Sequence, residues 1–136
     1  MIEALELMEY AEAIGHGFSL DGEQLRIKRG KHLQGELRRR IIQNKPQIVV
    51  VLEQDQQARQ SDFIVGIPGT LYFRSVSKRS AVYIECVDGQ WEARRETYQK
   101  GKRQAVSIKT IVEAATFDYA LDKAVSYFMH LERHMR

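Results

Sequence analysis

Two Asp-Gly pairs, Asp21-Gly22 and Asp88-Gly89, each lie between short segments whose apolar residues alternate with polar ones. A tight antiparallel reversal needs positive φ angles. Glycine adopts them freely and Asp tolerates them, so each pair predicts a hairpin. Around the first, Phe18 and Leu20 precede the turn, and Leu25 and Ile27 follow it. Around the second, Ala81–Val87 and Trp91–Tyr98 read as partner strands. The two hairpins lie far apart in a chain of 136 residues, and helical patterns separate them. The expected class is therefore α+β, in two modules.

In the first module, Leu7, Tyr10, Ala11 and Ile14 follow the i, i+3, i+4, i+7 spacing of an amphipathic helix, extended by Ala4 and widened by Met8. Gly15 and Gly17 stop that helix. After the hairpin, Leu33 to Asn44 predicts a second helix, with Leu37 and Ile41 on one side and Arg38 to Arg40 around the rest. Asn44-Lys45-Pro46 marks a break, because proline suits the first turn of a new helix. A third helix follows from Gln47 to about Ala58, apolar at Ile48, Val49, Val51 and Leu52. Its β-branched run would also suit a buried strand. The polar, Gln-rich stretch from Glu53 to Ser61 reads as a fraying end and linker, with the linker proper at 57–61.

The segments Gly15-His16-Gly17-Phe18-Ser19-Leu20-Asp21-Gly22-Glu23-Gln24-Leu25-Arg26-Ile27, Gly35-Glu36-Leu37 and Ile41-Ile42-Gln43-Asn44-Lys45-Pro46-Gln47-Ile48 carry a resemblance. Residues 3–56 resemble the N-terminal β-hairpin docking domain of nonribosomal peptide synthetase subunits, of the tubulysin type. The resemblance implies a helix-hairpin-helix-helix unit over residues 1–56. It also implies a protein partner whose acidic, extended segment lies along the hairpin. Carried over by position, Arg26, Lys28, Arg29 and Lys31 would pair with that segment's carboxylates. In that family a large condensation enzyme follows the docking domain, whereas here about eighty residues follow. A stand-alone adaptor or inhibitor is therefore expected. The open hairpin edge also permits a homodimer.

Residues 62–136 read as an antiparallel meander closed by a helix. Expected strands are Asp62–Ile67, Leu71–Val76, Ala81–Val87, Trp91–Tyr98 and Ser107–Ala114, the last also open to a helix through Ile108, Ile111 and Val112. Thr116 is placed to cap a final helix striped by Leu121, Ala124, Val125 and Phe128. The expected aromatic core is Phe63, Tyr72, Phe73, Tyr83, Trp91, Phe117, Tyr127 and Phe128.

Residues 1–60 hold nine basic and nine acidic side chains, and residues 61–136 hold twelve and nine, so the excess positive charge belongs to the second module. Arg94, Arg95, Lys100, Lys102, Arg103 and Lys109 cluster in sequence there, with Trp91 and Tyr98 interleaved. The alternative function is thus nucleic-acid binding, as in an accessory protein of a plasmid or phage. No catalytic signature stands out, and no enzyme activity or cofactor is expected. His130 and His134 share a helix face but lack a third ligand, so no metal is expected either. Cys86 is the lone cysteine and reads as a buried structural thiol. The longest apolar run, Ile48 to Leu52, is far short of the roughly 20 residues of a membrane span. Met1 to Tyr10 is acidic and reads as a helix, so no secretory leader is expected, and the expected location is cytoplasmic.

Overall fold

The computed structural model describes residues 2–134, so Met1 and residues 135–136 of the expected modules lie outside it. The chain divides into two compact units, Met1–Gln56 and Gln57–Arg136.

The first unit holds α1 (Ile2–Ala13), β1 (Phe18–Asp21), β2 (Gln24–Ile27), a 3-10 turn (Gly30–His32), α2 (Gly35–Gln43) and most of α3 (Lys45–Gln60). Its core is Ala4, Leu7, Met8, Ala11, Leu37, Ile41, Ile48 and Val51, with Phe18, Leu25 and Ile27 of the hairpin packed against it. Each large side chain buried there contributes about 1.5–3 kcal/mol relative to exposure. The buried stripe of α1 is rotated from the expected one, since Tyr10 and Ile14 are exposed. The i, i+3, i+4, i+7 series beginning at Ala4 faces the core, and Ile14 falls beyond the helix end.

That end is a Schellman cap. His16 N–H donates to the Ala11 carbonyl at 2.8 Å and Gly15 N–H to the Glu12 carbonyl at 3.1 Å. Gly15, at φ +98°, supplies the left-handed residue this cap requires. The first hairpin turn is then Gly22-Glu23 rather than Asp21-Gly22, because Asp21 pairs with Gln24. Gly22 alone has positive φ, as a type II′ turn asks of its first central residue.

α2 begins later and α3 earlier than the apolar pattern implies. Asn44 divides them, its side-chain amide donating to the Arg40 carbonyl at 2.9 Å. The expected linker at 57–61 is largely helix, since α3 continues to Gln60. Gln, Ala and Arg are adequate helix formers, and Ala58 is fully buried. The helix stops in a second Schellman cap: Phe63 N–H donates to the Ala58 carbonyl and Asp62 N–H to the Arg59 carbonyl. Here Asp62, at φ +68°, takes the position that glycine usually fills.

The second unit is a five-stranded antiparallel meander, β3 (Ile64–Ile67), β4 (Leu71–Ser77), β5 (Ser80–Val87), β6 (Gln90–Thr97) and β7 (Ser107–Ala115), followed by α4 (Phe117–His134). Asp88 and Gly89 both have positive φ, the type I′ pattern. Thr116 Oγ1 accepts from Tyr119 N–H at 3.2 Å and starts α4, which packs across β5, β6 and β7. Beneath it Trp91 and Phe117 meet edge to face at 4.9 Å, and Tyr72 stacks on Trp91 at 5.9 Å. Phe73 and Tyr83 are not in this core. They lie half-buried on the opposite sheet face, 6.1 Å apart, because neighbouring residues of a strand point to opposite sides. Cys86 is half-buried rather than buried, at the margin of the core. Among the described residues no helix is long and apolar enough to cross a membrane.

Replacing Asp62 with glycine should stabilise the second unit, because a side chain in left-handed backbone costs about 1 kcal/mol and Asp recovers part of it. Urea unfolding of Asp62→Gly should give a higher midpoint with an unchanged slope. A lower midpoint would show that the Asp62 side chain holds the cap.

Candidate functional site

The hairpin presents two unlike faces. Phe18, Leu20, Leu25 and Ile27 are half-buried on one, while Ser19, Asp21, Gln24 and Arg26 are exposed on the other. Among the described residues β1 and β2 pair only with each other. Lys28 N–H donates to the Gly17 carbonyl at 2.8 Å, and this closely spaced pair fixes the phase of the ladder. With Phe18 opposite Ile27 and Leu20 opposite Leu25, the N–H and C=O of those four residues point away from the partner strand.

The base of the hairpin is held by a residue that sequence reasoning did not single out. His16 is buried, and its Nδ1–H donates to the Lys28 carbonyl at 3.0 Å. The backbone N–H of the same residue closes the α1 cap, so His16 ties the end of the helix to the end of the hairpin. The readable signal was its place between Gly15 and Gly17, just past a helix.

The four expected hairpin cations differ in their freedom. Arg26 reaches Asp21 at 3.2 Å, with both side chains largely exposed. Such a pair is worth little and exchanges readily. Arg29 has a left-handed backbone, and its guanidinium lies against Gly15, where a Cβ would come within 3.0 Å of Nη1. Lys31 sits on the 3-10 turn, which Arg38 pins by donating to the Gly30 carbonyl at 3.1 Å. Lys28 and Lys31 are exposed and form no ion pair among the described residues. Beside them Ile27, Arg29, Gly30, Lys31 and His32 line an open hollow of about 580 Å³.

The six basic residues expected to form one surface in the second unit do not. Arg94 lies on the open sheet face and is enclosed by three carboxylates, Glu96 at 2.6 Å, Glu85 at 2.9 Å and Glu92 at 3.3 Å. Arg95 is on the α4 side, where its Nε donates to Ser80 Oγ at 2.7 Å and its Nη1 to Tyr127 Oη at 3.0 Å. Lys109 lies over the same Tyr127 ring at 5.3 Å. Only Lys100, Lys102 and Arg103, in the β6–β7 loop, stay exposed and uncommitted. Trp91 is buried under α4, and the Tyr98 hydroxyl is engaged with Glu96 at 2.5 Å, so neither offers a free stacking platform. The histidine rings of His130 and His134 are 4.1 Å apart, yet no metal-binding group of three ligands occurs among the described residues.

Burial pushes the Glu96 carboxyl up, but hydrogen bonds from Tyr98 and Arg94 outweigh it and hold it below its usual 4.5. The unfolded chain therefore binds this proton more readily than the folded one. The resulting stability is fully present above the usual carboxylate value and is lost as pH falls through the lowered one. Arg94→Ala should leave three carboxylates facing one another and destabilise the second unit by about 2 kcal/mol, between exposed-pair and buried-pair values. Denaturant unfolding across pH checks this: the deficit should shrink on acidification as the carboxylates protonate. A deficit independent of pH would mean that Arg94 acts by packing alone.

No protein-family model, no curated protein and no solved structure matches the chain, so the docking-domain resemblance of residues 3–56 rests on its own motifs.

Proposed function

We propose that this protein is a non-enzymatic docking protein whose N-terminal hairpin captures an acidic, extended segment of a protein partner. The observation that carries this reading is an unpaired strand edge beside uncommitted positive charge. Leu25 and Ile27 turn backbone donors and acceptors outward along β2. An extended peptide can satisfy them by adding a third strand. Lys28 and Lys31 lie at the end of that edge and select carboxylates over other side chains. Arg26 joins them by giving up the weak exposed pair with Asp21. The open hollow formed by Ile27, Arg29, Gly30, Lys31 and His32 receives one side chain of the segment.

An edge lysine can equally serve to keep strands of neighbouring molecules apart. Peptide selection separates the two roles. A random peptide display library panned against the full chain should enrich extended, acidic sequences. Arg26→Glu with Lys28→Glu should weaken the selected peptide at least about 30-fold, from two charge-assisted contacts each worth about 1 kcal/mol or more. The thermal midpoint should stay unchanged. Enrichment of basic or purely apolar peptides, or undiminished binding by the double variant, would contradict the reading.

A further inference from the structure

The second unit carries a cationic surface that is independent of the hairpin. Ser77 pairs with Ser80, so Lys78 and Arg79 form the tip of the β4–β5 turn. Lys100, Lys102 and Arg103 lie in the loop that leaves β6 and returns as β7, closed by Val106 N–H donating to the Thr97 carbonyl at 2.8 Å. The two loops are adjacent, because Tyr98 N–H donates to the Arg79 carbonyl at 2.7 Å. Ser80 Oγ and Thr97 Oγ1 meet just behind them at 3.1 Å. Five exposed cations therefore gather at one end of the sheet, and none forms an ion pair among the described residues. Residues 77–80 and 98–106 contain no acid to offset them. The nearest carboxylate along the chain, Glu96, is committed to Arg94 and Tyr98. The turn at the opposite end of the same sheet carries Asp88 instead.

We infer that this sheet end binds the phosphate backbone of nucleic acid. The composition of the two loops decides the class of partner. Residues 77–80 and 99–104 contain no apolar or aromatic side chain; at the loop's two ends Tyr98 is held by Glu96, and Val106 is the one exposed large apolar side chain. A protein interface takes most of its energy from such anchors, and a membrane-bound loop inserts them. Phosphate contacts need neither, because released counterions supply the affinity. Lys78 and Arg79 were not legible as members of this surface, since they are about twenty residues from Lys100 in sequence. The pairing of β4, β5 and β6 brings them together.

The test is fluorescence anisotropy of the full chain with a labelled mixed-sequence DNA duplex of about 20 base pairs, titrated at several salt concentrations. Binding should fall steeply with salt, with a log–log slope approaching about −4.5 if all five cations meet phosphates. Lys78→Glu with Arg79→Glu, and separately Lys100→Glu with Lys102→Glu, should each weaken binding at least about tenfold and flatten the slope by about 2. Arg26→Glu with Lys28→Glu on the hairpin should leave duplex binding unchanged, which separates this surface from the docking edge. Circular dichroism melts of both loop variants should match the parent, since these side chains form no hydrogen bond or ion pair among the described residues. No binding at low salt, a flat salt response, or loop variants that bind as tightly as the parent would overturn the inference. Displacement of the duplex by polyglutamate at equal charge would overturn it too, in favour of an acidic protein partner.

Discussion

Successive side chains of a strand point to opposite faces, and that constraint decides where this protein's positive charge is free. Arg94 and Arg95 are neighbours in sequence but occupy different environments. One is enclosed by Glu85, Glu92 and Glu96 on the open face, and the other is hydrogen-bonded to Ser80 and Tyr127 on the α4 side. Both are consumed by the fold. Of the cations expected to bind a partner, those left over, Lys28, Lys31, Lys100, Lys102 and Arg103, lie where alternation ends, in the tips of loops and at the rim of the small hairpin. The two binding surfaces proposed for the protein therefore lie at strand ends, one in each unit.

A shared device feeds the chain into each sheet. α1 and α3 both end in a Schellman cap whose left-handed residue is Gly15 in one case and Asp62 in the other. In each, the next residue is buried, His16 against the Lys28 carbonyl and Phe63 against Phe128 of α4. His16 then bonds the Lys28 carbonyl and holds the far end of β2. The basic rim is thus attached to a helix terminus rather than to a mobile tail. A preset edge of this kind lowers the ordering cost of capturing an extended segment.

Much of the fold was legible because its signals are local. Asp88-Gly89 marks a turn, Thr116 a cap, and Gly15 a helix stop, each through the backbone angles or hydrogen bonds of a few residues. The errors came where a local pattern met a tertiary demand. The polar stretch after Glu53 stays helical because Ala58 is needed in the second core. Phe73 and Tyr83 were expected inside because aromatic residues usually are, but their register assigns them to the open face with Arg94. The alternation that puts Arg94 and Arg95 on opposite faces is readable in the strand, but the run from Arg94 to Lys109 looked free because Glu85, Ser80 and Tyr127, which occupy these two arginines, lie far off in sequence. The role of His16 and the closeness of Lys78 and Arg79 to Lys100 depend on pairing between distant segments, which spacing along the chain does not encode.

The most direct test of the docking account is amide hydrogen exchange on the full chain, with and without a selected acidic peptide. Strand addition along β2 should slow exchange at Leu25 and Ile27, whose N–H groups point outward, and leave Arg26, already paired across the hairpin, nearly unchanged. Protection that skips Leu25 and Ile27, or that falls on the helices alone, would show that the partner does not join the sheet and would contradict the account.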